Sequence, residues 1–85
     1  MTFAVEFSRQ AKKYLRNLDK AIATRCLAEI ERLKEEPFPR DAIKVKGEDK
    51  VFRVRVGKYR ILYEVYNESE TLLITKIDLR GRAYE

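Results

Sequence analysis

Histidine and tryptophan are absent from the 85-residue chain, cysteine occurs once, as Cys26, and there are only three glycines and two prolines. Without histidine there can be no His-based acid–base pair. With a lone cysteine there can be no Cys–His nucleophile, no Cys/His zinc site and no internal disulfide. The same cysteine usage fits a reducing, cytoplasmic setting. No apolar run exceeds four residues, and the opening MTFAVEFSRQ lacks the basic start and apolar stretch of a signal peptide, so neither membrane insertion nor export is expected. Few glycines and prolines, with 39% charged and 45% hydrophobic residues, separate the chain from low-complexity and disordered sequences. A chain of this length buries about 60–65% of the surface its unfolded form exposes. One small core, and hence a single domain over residues 1–85, is expected.

What is present has two periods. Phe3, Val5 and Phe7 alternate with Ala4 and Glu6, the spacing of a half-buried strand. Ser8 is placed to cap a helix carrying Ala11, Tyr14, Leu15 and Leu18 at three- and four-residue spacing. Asp19 is placed to cap a second, with the stripe Ile22, Cys26, Leu27, Ile30 and Leu33. EEPFPR should stop that helix, because the residue before Pro37 is pushed out of helical geometry. From Lys50 the period becomes two: KVFRVRV, YRILYEVY and TLLITKIDL read as strands. Gly57-Lys58 joins the first two as a two-residue turn with glycine first. The expected fold is α+β: an N-terminal strand, an antiparallel helical hairpin, then three antiparallel strands, forming one sheet with the helices on one face.

The net charge of +5 is unevenly placed. Residues 50–63 hold Lys50, Arg53, Arg55, Lys58 and Arg60 and no acid; residues 76–84 hold Lys76, Arg80 and Arg82 against Asp78, which leaves the rest of the chain at −2. With Gly57 and Lys58 as the turn, Val56 faces Tyr59, Arg55 faces Arg60, Val54 faces Ile61 and Phe52 faces Tyr63. Apolar then meets apolar on the helix side and arginine meets arginine on the open side. Like charges directly opposite are destabilising, and arginine does not shed its proton to relieve them, so an anionic ligand is expected there, with Arg53 extending the cluster. DLRGRAYE adds Arg80, Arg82 and Tyr84 as a basic tail. Arg9, Lys12, Lys13, Arg16 and Lys20 line one face of the first helix, either as a solvated face or as auxiliary phosphate contacts. Cys26 reads as a small core residue. Glu29, Glu31, Glu35 and Glu36, with no His or third ligand nearby, read as solvent-facing, and no metal site is expected.

Taken together, the helical hairpin ending in EEPFPRD, the segment VFRVRVGKYRILYEV and the segment ITKIDLRGRAYE resemble the RelE/ParE superfamily of toxin–antitoxin ribonucleases over residues 2–85, and most closely its short archaeal RelE-like members. The middle segment carries the superfamily pattern. The basic and tyrosine set is what separates the nucleases from gyrase-poisoning ParE relatives. The resemblance implies a toxin that cuts mRNA in the ribosomal A site without metal or other cofactor, by attack of the 2′-OH on its own phosphate. The implied catalytic residues are Arg55, Arg60, Arg80 and Tyr84, and the implied RNA contacts are Arg53, Arg55, Lys58, Arg82 and Lys50. Tyr84 would be the base, since neighbouring guanidinium groups favour its phenolate, and Arg80 or Arg82 would sit by the leaving oxygen. A small acidic RelB-like antitoxin would mask the cationic face in the resting cell. Two other readings stay open: a ParE-type gyrase inhibitor with no chemistry of its own, and a non-catalytic RNA-binding domain using the same arginines.

Overall fold

A computed structural model describes residues 2–79. It contains β1 (Ala4–Phe7), α1 (Arg9–Asn17), α2 (Lys20–Glu35), β2 (Ile43–Lys44), β3 (Val51–Val56), β4 (Tyr59–Tyr66) and β5 (Thr71–Leu79). The caps are those the sequence predicts: Ser8 Oγ accepts from the Ala11 N–H at 3.1 Å, and an Asp19 carboxylate oxygen accepts from the Ala21 N–H at 3.2 Å. The second helix ends at Glu35, ahead of Pro37.

The five strands form one sheet in the order β1-β5-β4-β3-β2. After β1 the chain crosses through the two helices to the far edge, then winds back through antiparallel neighbours until β5 lies beside β1, parallel to it. The three antiparallel strands are therefore as expected. The expected scheme lacked β2, which is only two residues long and so has no alternation to read.

Ala11, Cys26, Ile30 and Leu33 from the helices and Val54, Val56, Ile61, Tyr63, Val65, Leu72, Ile74 and Ile77 from the sheet form one buried cluster. Ile74 and Ile77 are three residues apart, which strict alternation would send to opposite faces. A bulge resolves this: Leu62 pairs with Lys76 and Tyr63 with Ile74, leaving Thr75 as the extra residue. Leu27 was expected in the apolar stripe of α2 but is 45% exposed. It lies at the rim of that stripe, where it lines a groove with Phe7, Leu15 and Ala23.

Two devices hold the frame. Beyond the end of β1, the outer edge of β5 pairs with side chains of the first helical turn: Gln10 Nε2 donates to the Ile77 carbonyl and its Oε1 accepts from the Ile77 N–H, each at 3.1 Å, while Ser8 Oγ donates to the Thr75 carbonyl at 2.7 Å. An edge that would otherwise be unpaired is closed this way. On the other side, the buried Tyr63 hydroxyl donates to the Pro37 carbonyl at 2.7 Å. Phe52 stacks on Tyr63 and meets Phe38 edge-on. The segment between α2 and β2 is thereby fastened to the sheet.

Candidate nucleic-acid interface

The register of the β3–β4 hairpin matches the sequence expectation pair by pair: Val56 with Tyr59, Arg55 with Arg60, Val54 with Ile61 and Phe52 with Tyr63. Gly57 has φ +59 and Lys58 is not among the positive-φ residues, which is the backbone of a two-residue turn with glycine first. Directly opposed residues have Cβ atoms about 4.5–5.5 Å apart, so two guanidinium groups leave the sheet side by side.

Arg53, Arg55 and Arg60, with Asp41 and Ile43, line a concavity of about 430 Å³ on the face away from the helices. Arg55 is exposed and Arg53 half-buried, whereas Arg60 is only 8% exposed. Arg60 lies between Arg55 on β3 and Asp78 on β5, its cross-strand partners. Leu62, 2% exposed, forms apolar ground on the same face between its partners Arg53 and Lys76. Among the described residues neither Arg53 nor Arg55 forms an ion pair.

Residues 50–63, which supply the three arginines, contain no acid, but the structure brings two onto this face from elsewhere in the chain. Asp78 sits opposite Arg60, and Asp41 reaches the concavity from the segment after α2. Both carboxylates are engaged: Asp78 accepts from the Leu79 N–H at 2.7 Å and pairs with Lys76 at 3.8 Å. Asp41 accepts from the Arg32 guanidinium at 3.1 and 3.2 Å. Arg32 also binds Glu29. These contacts hold the Asp41 carboxyl below the usual range and push Arg32 further up. Nothing local in the sequence marks Asp41 or Ile43 as neighbours of the arginines, because only the β2–β3 pairing brings them there.

The remaining expected residues divide. Lys58 is exposed in the turn, at the Arg55 end of the hairpin. Lys50 does not join the cluster. It lies five residues before Arg55, roughly 17 Å along the strand, with its ammonium 4.8 Å above the Tyr66 ring. Arg80, Arg82 and Tyr84 lie outside the described residues. Two described tyrosines are poor bases: burial pushes the Tyr63 hydroxyl up, and a hydrogen bond to Glu64 pushes up that of Tyr66. Of the α2 acids, Glu29 binds Arg32, Glu31 pairs with Lys34 and Glu35 accepts from Thr2.

A small α+β fold with a cluster of arginines on the sheet face away from its helices defines the class, and comparison with known proteins gives the family. Residues 5–84 match the sequence model of the ParE toxin of type II toxin–antitoxin systems, and the chain belongs to that family. It is 36% identical to RelE1 of Methanocaldococcus jannaschii over all of this chain and 98% of that protein. Among solved structures it resembles the archaeal RelE–RelB complex of Pyrococcus horikoshii, at 38% identity and a TM-score of 0.84 over 98% of this chain and 100% of that one. It also resembles the RelBE2 toxin–antitoxin complex of Mycobacterium tuberculosis, at 29% identity and 0.79 over 94% and 100%. The protein is a RelE-like toxin of a type II toxin–antitoxin system.

Proposed function

We propose that this toxin is a ribosome-dependent endoribonuclease that stops translation by cleaving mRNA in the A site. The observation that carries this reading is the convergence of Arg53, Arg55 and Arg60 on one concavity. Three fixed positive charges suit the scissile phosphate. As the 2′-oxygen bonds to phosphorus and the 5′-oxygen departs, negative charge grows on the phosphoryl oxygens, and guanidinium groups held in place stabilise it without reorganising. Loss of one such donor costs about 10²–10³ in rate in comparable sites. Tyr84 would take the 2′-OH proton, and Arg80 or Arg82 would stabilise the departing oxygen. Arginine has a pKa above about 12, so its role is electrostatic before it is acidic. No metal or cofactor enters the scheme. A base this weak acts slowly on free RNA, so the ribosome supplies the substrate's geometry.

The toxin acts in the cytoplasm, and its partner is a small acidic RelB-like antitoxin, in keeping with the RelE–RelB complexes among its structural relatives. No helix among the described residues is long and apolar enough to cross a membrane.

Primer extension of mRNA on translating ribosomes is the test. Wild type should generate new 5′ ends in the A-site codon. Tyr84→Phe should bind but not cut, and Arg60→Ala should lose both. Because the matching family model is that of ParE, gyrase supercoiling is the companion assay. Inhibition of supercoiling with intact mRNA would replace the nuclease reading.

A further inference from the structure

Arg25 lies on α2 and belongs to none of the sites described so far. Its guanidinium rests on the β3–β4 turn: a Cβ built on Gly57 would lie 3.4 Å from one terminal nitrogen and 3.7 Å from the other. Gly57 is held at φ +59, and its surface faces the Arg25 guanidinium. Together with Ala28, Glu29, Arg55, Val56 and Gly57, Arg25 lines a second concavity of about 360 Å³. Arg55 lines both concavities. The two hollows therefore meet at one side chain, and cationic surface continues from the sheet face around the hairpin onto the helix.

The charges in the second hollow are unequal in availability. Glu29 is bound by Arg32, whereas Arg25 is exposed and forms no ion pair among the described residues. Gly57 is two residues from Arg55, roughly 6–7 Å along the strand. A phosphate held by Arg55 and Arg60 therefore has Arg25 within reach of its neighbour on the same strand.

The geometry points to the hollow between Arg25 and Arg55 as a second phosphate subsite, which grips the RNA backbone one step from the scissile phosphate. This rests on the ribonuclease reading for its substrate. Arg25 positions the strand and takes no part in bond breaking.

The test is fluorescence anisotropy of the full chain with a labelled, uncleavable 2′-O-methyl RNA 12-mer, across about 50–200 mM salt. Arg25→Gln should weaken binding several-fold at low salt, regardless of sequence, and flatten the logarithmic salt slope by about 0.7, the value for one phosphate contact on a single strand. Arg25→Lys should keep the slope, since it keeps the charge, and Arg25→Ala, which removes the charge as Arg25→Gln does, serves if that variant proves unstable. A dinucleotide with one phosphate should bind Arg25→Gln as it binds wild type, while Arg55→Gln loses affinity for both ligands. If Arg25→Gln matches wild type on the 12-mer in affinity and slope, or if wild type shows no RNA affinity, the subsite is overturned. Arg25-dependent binding without mRNA cleavage on ribosomes would support the subsite and overturn the nuclease reading instead.

Discussion

Arg55 and Arg60 are directly opposed on adjacent strands, one open to solvent and the other buried. Such a pair works against the fold, because like charges opposed across a ladder destabilise it by tenths of a kcal/mol up to about 1 kcal/mol. Arg55→Thr, which keeps strand propensity and removes the repulsion, should therefore raise stability in urea denaturation by up to about 1 kcal/mol while lowering mRNA cleavage at least tenfold. A variant that is less stable and still cuts normally would contradict both halves of this expectation.

Asp41 places a negative charge at the edge of the arginine concavity, inside the roughly 8–10 Å over which salt leaves charge effects substantial. Asp41→Asn should tighten RNA binding a few-fold at low salt, and the gain should fade as salt rises. The stability cost should stay below about 1 kcal/mol, since the carboxylate is exposed and its pair with Arg32 is screened. The pH dependence has a definite sign. Arg32 depresses the folded-state pKa of Asp41, so its small stabilising effect is present above the unfolded value of about 3.9 and is lost as pH falls through the folded one. Denaturation curves of wild type and Asp41→Asn should differ by a constant amount from pH 5 to 8 and converge only in acid.

Tyr63 fastens the segment that carries Asp41, through its bond to the Pro37 carbonyl. Tyr63→Phe keeps the ring and its stacking on Phe52 but leaves that carbonyl without its donor, at a cost of about 1–2 kcal/mol. Burial raises the folded-state pKa of Tyr63, so the neutral hydroxyl stabilises the fold fully below the unfolded value of about 10, and this is lost as pH rises beyond it. The stability gap between wild type and Tyr63→Phe should be flat from pH 6 to 9 and narrow above about 10. A gap that narrows near neutrality would mean the hydroxyl is not buried as described.

The hairpin register was legible because turn chemistry and alternation agreed: Gly57-Lys58 allowed only one pairing that put Val54, Val56, Ile61 and Tyr63 on the same side. The helix caps were legible for a similar reason, each being a short-range contact written in neighbouring residues. What escaped depends on contacts distant in sequence. Ile43 and Asp41 reach the arginines through two residues of β2, Arg25 meets Gly57 across 32 positions, and Lys50, counted with the arginines by charge, lies five residues from Arg55 and contacts the Tyr66 ring instead. Thr75 is invisible as a bulge until β4 is laid beside β5.

Gly57 offers a last test, because two costs can be separated there. An added Cβ would sit 3.4 Å from the Arg25 guanidinium, an ordinary contact, so sterics do not forbid Gly57→Ala. The backbone does resist it: φ +59 is reached by an L side chain only at roughly 1–2 kcal/mol. Gly57→Ala should lower stability by about that amount, whereas Lys58→Ala, exposed and not among the positive-φ residues, should stay within about 0.5 kcal/mol of wild type. Thermal melts of the two variants compare these directly. Equal melting temperatures would mean that the turn is not held with glycine at positive φ, and the side-by-side placement of Arg55 and Arg60, which depends on that turn, would fall with it.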